Sequence, residues 1–234
     1  MNKRNPENTG TEIPQLISYL ALRKAVGILG ITFPVVLAAG SVIGLGCKEI
    51  QSSISSYYHT GMRDIFMGYI CAIAFFMFAY KGYDRMDSIA GKLACLFALG
   101  VAFFPTSVTE HLTYCIPSPV DTHFFNSIHF VSAGLFFLVL AYFSLCQFTQ
   151  GEGKPTDRKR KRNILYRISG FTILGSLVLI AVYFWLLEKR CPALQLVDPV
   201  FWLETLALWA FGIAWLTKGR VILADLEITQ KKIN

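Results

Sequence analysis

Residues 124–148 read FFNSIHFVSAGLFFLVLAYFSLCQF, 25 positions without a Lys, Arg, Asp or Glu. A helix that crosses the hydrocarbon of a bilayer needs about 20 apolar residues, within a range of about 17–25. This run meets that requirement, and it has company. Working outward, apolar blocks cover 25–45, 65–80 and 88–104 on its N-terminal side and 168–187 and 200–217 on its C-terminal side. The blocks 65–80 and 88–104 are the shortest and borrow flanking residues. Over the whole chain 54% of residues are hydrophobic and 16% charged, against about 25% charged in a soluble domain. The pattern predicts an all-α, polytopic bundle of six transmembrane helices within residues 25–217. An N-terminal segment, 1–24, and a C-terminal tail, 218–234, flank it.

The placement of the 22 Lys and Arg residues orients the bundle. Eighteen fall in the two flanking segments and in the second and fourth connections. Only Lys48, Arg63, Lys189 and Arg190 fall on the opposite side. Positive charge is retained in the cytoplasm during insertion, so both termini are expected in the cytoplasm of a cell whose inner membrane holds this multi-pass protein. The run DRKRKR at 157–162 reads as a topology determinant. It also attracts anionic lipid, at about 1 kcal/mol per basic residue. Nucleic acid is excluded as a partner, because neither aromatic platforms nor a recognition helix accompany the run. The stretch TQGEGKPTDRKRKR is rich in turn formers and charge and reads as a flexible connection. The first 24 residues lack the apolar core and small-residue site of a cleaved signal peptide.

Six cysteines divide by side. Cys71, Cys95 and Cys146 lie in or at the ends of spans, where a thiol behaves as a small apolar group. Cys47, Cys115 and Cys191 fall on the outer side, where disulfides persist. Cys115–Cys191 is the preferred pairing, with Cys47 as the rival partner. All four histidines, His59, His111, His123 and His129, also fall on the outer side or in the outer half of a span. Acidic residues gather with them: Glu49, Asp64, Glu110, Asp121, Glu188, Asp198 and Glu204.

Polar groups inside a span are costly and face the bundle interior. His129 and Asn126 form a polar stripe on the fourth span. Glu204 lies at similar depth in the sixth, with His129 or His123 as its expected partner. If 51–63 continues helically into the second span, Ser55 and His59 share a face and Asp64 stands at the mouth. Each of these groups has an ordinary structural role open to it. His59 and Asp64 can bond Arg63 or Lys48, and His111 can be a plain loop residue. His129 with Asn126 can supply an interhelical hydrogen bond worth about 0.6–2 kcal/mol.

Two functional readings therefore stand. In the first, the polar cluster is structural and the chain is an accessory or sensory membrane protein without enzymatic activity. In the second, His59, His123 and His129 hold Zn²⁺, whose bound water attacks a lipid ester or amide. Asp64 then acts as general base and Ser55 steadies the oxyanion. Walker, GxSxG, HExxH and CxxC motifs are absent.

The segments SISSYYHTGMRDIFMGYICAIAFFMFAYKGYDR, ALGVAFFPT and HFVSAGLFFLVLAYFSL together resemble a set of bacterial six-span inner-membrane proteins. The polar motif after the first span is similar to that of the DRAM/Sfk-type six-span family. The likeness covers most of 25–217 and is strongest in 53–66; it implies a six-helix bundle with cytoplasmic termini. A weaker resemblance is to the CREST hydrolases, which include alkaline ceramidases and carry Ser-x3-His, an Asp, and a later His-x3-His around zinc. Ser55 and His59 match the first element and Asp64 stands for the Asp. His123 and His129 are six apart rather than four, and six spans are counted here against seven in those relatives.

Overall fold

The computed structural model describes residues 9–80, 85–107, 123–150 and 156–223. Those residues form six α-helices and no strand: α1 (Thr9–Ala39), α2 (Arg63–Ala79), α3 (Arg85–Phe103), α4 (His123–Tyr142), α5 (Asp157–Val182) and α6 (Pro199–Lys218). Three helices are prolonged by a widened π turn, α1 through Gly40–Gly44, α4 through Phe143–Gln147 and α5 through Tyr183–Leu187. Short 3₁₀ helices span Ser55–His59 and Pro192–Val197. With their extensions, five helices are long and apolar enough to cross a membrane. The remaining one, α2, has 17 residues, at the short limit for a span.

Two segments expected to be irregular are helical. α1 starts at Thr9, within the segment taken as a polar tail. α5 starts at Asp157, so DRKRKR forms its first turns rather than a flexible connection. The reason is local. Thr156, in extended conformation, accepts a hydrogen bond from Lys159 N–H at 3.2 Å. Asp157 adds negative charge where the helix dipole is positive.

The helices alternate in direction, and aromatic contacts gather one set of ends. Tyr80, after α2, stacks on Tyr19 of α1 and meets Trp215 of α6 edge-on, with ring centroids 5.7 and 5.0 Å apart. Phe148, after α4, lies 5.2 Å from Trp215 and 5.4 Å from Tyr166 of α5. Arg23 lies over the Tyr19 ring at 4.6 Å, and Lys218 over Phe148 at 5.2 Å. This is the basic end of the bundle. The outward flanks carry exposed Phe75, Phe171 and Val178, the apolar perimeter that a lipid solvent accepts and water does not.

α1 and α6 approach closely through glycines. A Cβ added to Gly212 would lie 2.6 Å from Ile31 Cγ1 and 2.8 Å from the Gly27 carbonyl oxygen. Small residues at such crossings let backbones touch and gain dispersion contact. Gly212→Ala forces the two helices apart and is expected to lower stability by about 1–3 kcal/mol, read from reversible unfolding in mixed SDS micelles. A variant as stable as the parent would mean that this seam contributes little.

Candidate functional site

The opposite end of the bundle is organised by residues 46–62. Gly46 takes a left-handed conformation, φ +70°, which turns the chain out of α1. The following serines do not extend α2 backwards as a helix. Short hydroxyls compete with the helical backbone for its own hydrogen bonds, and here they win. Ser53 Oγ accepts from Ser56 N–H at 3.0 Å and lies 2.7 Å from Ser56 Oγ. Gln51 N–H donates to the Tyr57 hydroxyl at 3.3 Å. Burial of Tyr57 pushes its hydroxyl pKa up; the Gln51 bond opposes this and the nearby Asp198 adds to it. The 3₁₀ turn ends at Thr60, whose hydroxyl donates to Tyr57 O and accepts from Met62 N–H. The expected helical face shared by Ser55 and His59 is therefore not formed, and the two side chains go to different partners.

Glu204 anchors this loop. Its carboxylate accepts from Ile54 N–H at 2.6 Å and from the backbone N–H of Ser55. Phe201 N–H adds a bond to Ser52 O at 3.1 Å. The sequence suggested a histidine as partner for Glu204, but backbone amides hold it instead. An anion in an apolar setting needs several donors, and two adjacent loop amides supply them without a second buried charge.

Both described imidazoles bind the chain just beyond α3, where Pro105 ends the helix and leaves its last carbonyls unpaired within the helix. His59 Nε2–H donates to Thr106 O at 2.6 Å. His129 Nδ1–H donates to Phe104 O at 2.7 Å. A carbonyl can only accept, so this bond sets the tautomer of a neutral His129 and leaves Nε2 bare. The Ser55 hydroxyl, 2.9 Å away, donates to that nitrogen. Asn126 Oδ1 accepts from Ser107 N–H at 2.9 Å and fixes the same segment from one turn earlier in α4. His129 and Asn126 thus tie α4 to the backbone just beyond α3, and His129 reaches the Ser55 side chain as well.

Ser55, His129 and Glu204 border a cavity of about 620 Å³. Its polar wall comes from Gln51 and the serines at 52, 53, 55 and 56, with Thr106, Ser107, Glu188, Gln195 and Asp198, and its apolar wall from α4 and α5. Asp64, expected as a catalytic base, is exposed on the first turn of α2 and outside this lining. Arg63 next to it donates to the Tyr58 hydroxyl at 2.8 Å and covers that ring. Cys191 is a free, exposed thiol and Cys47 is disulfide-bonded. The preferred Cys115–Cys191 bridge is therefore not made. His111, Cys115 and the side chain of His123 lie outside the described residues.

No protein-family model, curated protein or solved structure matches this chain.

What the site can do must then be read from its own atoms. Among the described residues no three His, Cys, Asp or Glu side chains come together to hold a metal ion. His129 has both ring nitrogens engaged, and His59, outside the cavity lining, donates through Nε2 to Thr106 O. These residues do not fit the zinc ligand set the sequence suggested. They do fit a serine activated by a base, with the base oriented by a third group. The Phe104 and Thr106 carbonyls, which orient the imidazoles, carried no signal in the sequence, because any residue supplies a carbonyl. Asp198, which the sequence offered only as one of the outer acidic residues, lies on the cavity wall at the start of α6.

Proposed function

We propose that this chain is a six-span protein of a bacterial inner membrane, with both termini cytoplasmic and the serine end facing outward. We propose further that Ser55 and His129 cleave an ester or amide presented to the cavity from the outer leaflet. The bias of basic residues toward one end supports the orientation, and the apolar run of α2 supports counting it as the sixth span. The exposed first turns of α5, rich in Arg and Lys, then face anionic lipid of the inner leaflet.

One observation carries the chemistry: Ser55 Oγ stands 2.9 Å from His129 Nε2, on the cavity wall, with Nδ1 tied to Phe104 O. His129 takes the hydroxyl proton as Ser55 Oγ bonds to the substrate carbonyl carbon. The same proton passes to the departing alcohol or amine as its bond to that carbon breaks. A water, deprotonated by the same nitrogen, then releases the acid and restores Ser55. Phe104 O steadies the imidazolium formed in between, a role often given to a carboxylate. His59 and Asn126 act at one remove, by holding the 104–107 segment in place.

The test is reaction with a fluorophosphonate probe, which labels activated serines. The purified protein is expected to take up the probe at Ser55, located by peptide mapping, and Ser55→Ala to lose the label. Equal labelling of parent and variant, or no labelling of well-folded parent, would end this reading in favour of a structural or sensory protein.

A further inference from the structure

The lining of the cavity is sorted by polarity, and the sorting says what shape of molecule it accepts. The apolar wall runs down α4 and α5, from Phe130 to Phe137 and from Ile180 to Leu177, toward the middle of the bundle. The polar wall lies above it at the serine end. A ligand that satisfies both walls has a hydrocarbon part and a polar head in one molecule. The volume of about 620 Å³ falls in the range of about 300–1,000 Å³ that suits small ligands. It admits one chain with a compact head.

Charge narrows the head. Glu188, Asp198 and Glu204 all border the cavity, and no Lys or Arg does so among the described residues. Glu188 and Asp198, beside low-dielectric walls, focus a negative potential on the polar half, while Glu204 is taken up by the loop backbone. An anionic head would enter against that potential, and a positive head would be drawn by it. The exposed Trp185, Trp202 and Leu196 at this end belong to the headgroup level of a bilayer, so the mouth opens where such a head would lie.

We infer that the cavity takes a single-chain amphiphile with a positively charged head, the chain between α4 and α5 and the head beside Glu188 and Asp198. The inference rests on the hydrolase reading only for what happens afterwards: the cleaved bond is then the one joining chain and head.

Gly134 provides the test. It lines the cavity, and a Cβ added there meets no atom within 4 Å. A larger side chain at this position enters the apolar half without displacing the bundle. The protein, in nanodiscs of phosphatidylcholine, is titrated with dodecyltrimethylammonium, dodecyl maltoside and dodecyl sulfate below their micellar concentrations. Binding is read by calorimetry. The cationic amphiphile is expected to bind saturably and at least tenfold more tightly than the sulfate. Gly134→Leu should weaken it at least tenfold. Asp198→Asn combined with Glu188→Gln should bring the two heads within about threefold; Asn tolerates the left-handed backbone at 198, φ +46°. If Gly134→Leu does not fold, Gly134→Cys blocked with N-ethylmaleimide after folding replaces it, beside parent treated alike. Sulfate binding as tight as the ammonium, or ammonium binding indifferent to the blocked position 134, would overturn the inference. Parent protein that binds the ammonium saturably but takes up no fluorophosphonate would refute the hydrolase and leave this proposal standing.

Discussion

Glu204→Ala should cost about 2–4 kcal/mol of stability and free residues 52–56 from the bundle. The carboxylate accepts from two successive amides, Ile54 and Ser55, and hydrogen bonds to charged groups contribute about 1.5–3 kcal/mol each. Two terms reduce the sum. Removing the residue relieves the desolvation of a carboxylate within α6, and the neighbouring cavity lets water reach the abandoned amides. The amides are adjacent and Ile54 is buried, so the loss prevails. Glu204→Gln keeps one acceptor but turns an NH₂ toward the second amide, and should recover about half of the loss. Unfolding in mixed SDS micelles gives the magnitude, and amide exchange at Ile54 and Ser55 gives the location. If Glu204→Ala stayed within about 0.5 kcal/mol of the parent and kept both amides protected, the loop would be anchored by other contacts.

His129→Ala should slow reaction of Ser55 with the fluorophosphonate by about 10²–10⁴-fold, the usual contribution of a positioned general base. The comparison with His129→Gln separates two roles. A glutamine can reach the Ser55 hydroxyl as an acceptor but cannot take its proton. If His129 only orients Ser55, the glutamine restores most of the rate; if it is the base, the rate stays low. The parent should also lose reactivity in acid, because an imidazolium has no lone pair to accept the hydroxyl proton, while the residual rate of His129→Gln should be flat. Full reactivity in His129→Gln would assign the pair a purely structural task.

The helices were legible because membrane insertion writes them in long apolar runs, and the observed α2, α3, α4 and α6 begin and end close to the runs 65–80, 88–104, 124–148 and 200–217. The run 168–187 likewise lies within α5 and its extension, but the first turns of α5 were not legible, since charge counts against insertion but not against a capped helix in water. At the site, Ser55, His129 and Glu204 were singled out as polar residues that an apolar bundle must satisfy, and the structure gathers them on one cavity. Their pairings were not legible. Glu204 went to amides and the imidazoles to carbonyls, and backbone partners look the same at every position in a sequence. His59 and His129 suggested a shared ligand set by their composition. Pro105 instead offered them two loose carbonyls, at Phe104 and Thr106.

Gly212 and Gly134 mark two places in this bundle that respond differently to pressure. Gly27 and Gly212 lock α1 to α6 backbone on backbone, whereas Gly134 on α4, on the cavity wall, has open space where a side chain would be. Lateral pressure in the bilayer therefore acts unequally around the perimeter. It closes on a seam already at contact distance along α1 and α6, and on the cavity where α4 and α5 face it. The bundle behaves like a bound book, with the spine on one side and the leaves free to part on the other, and the cavity lies among the leaves.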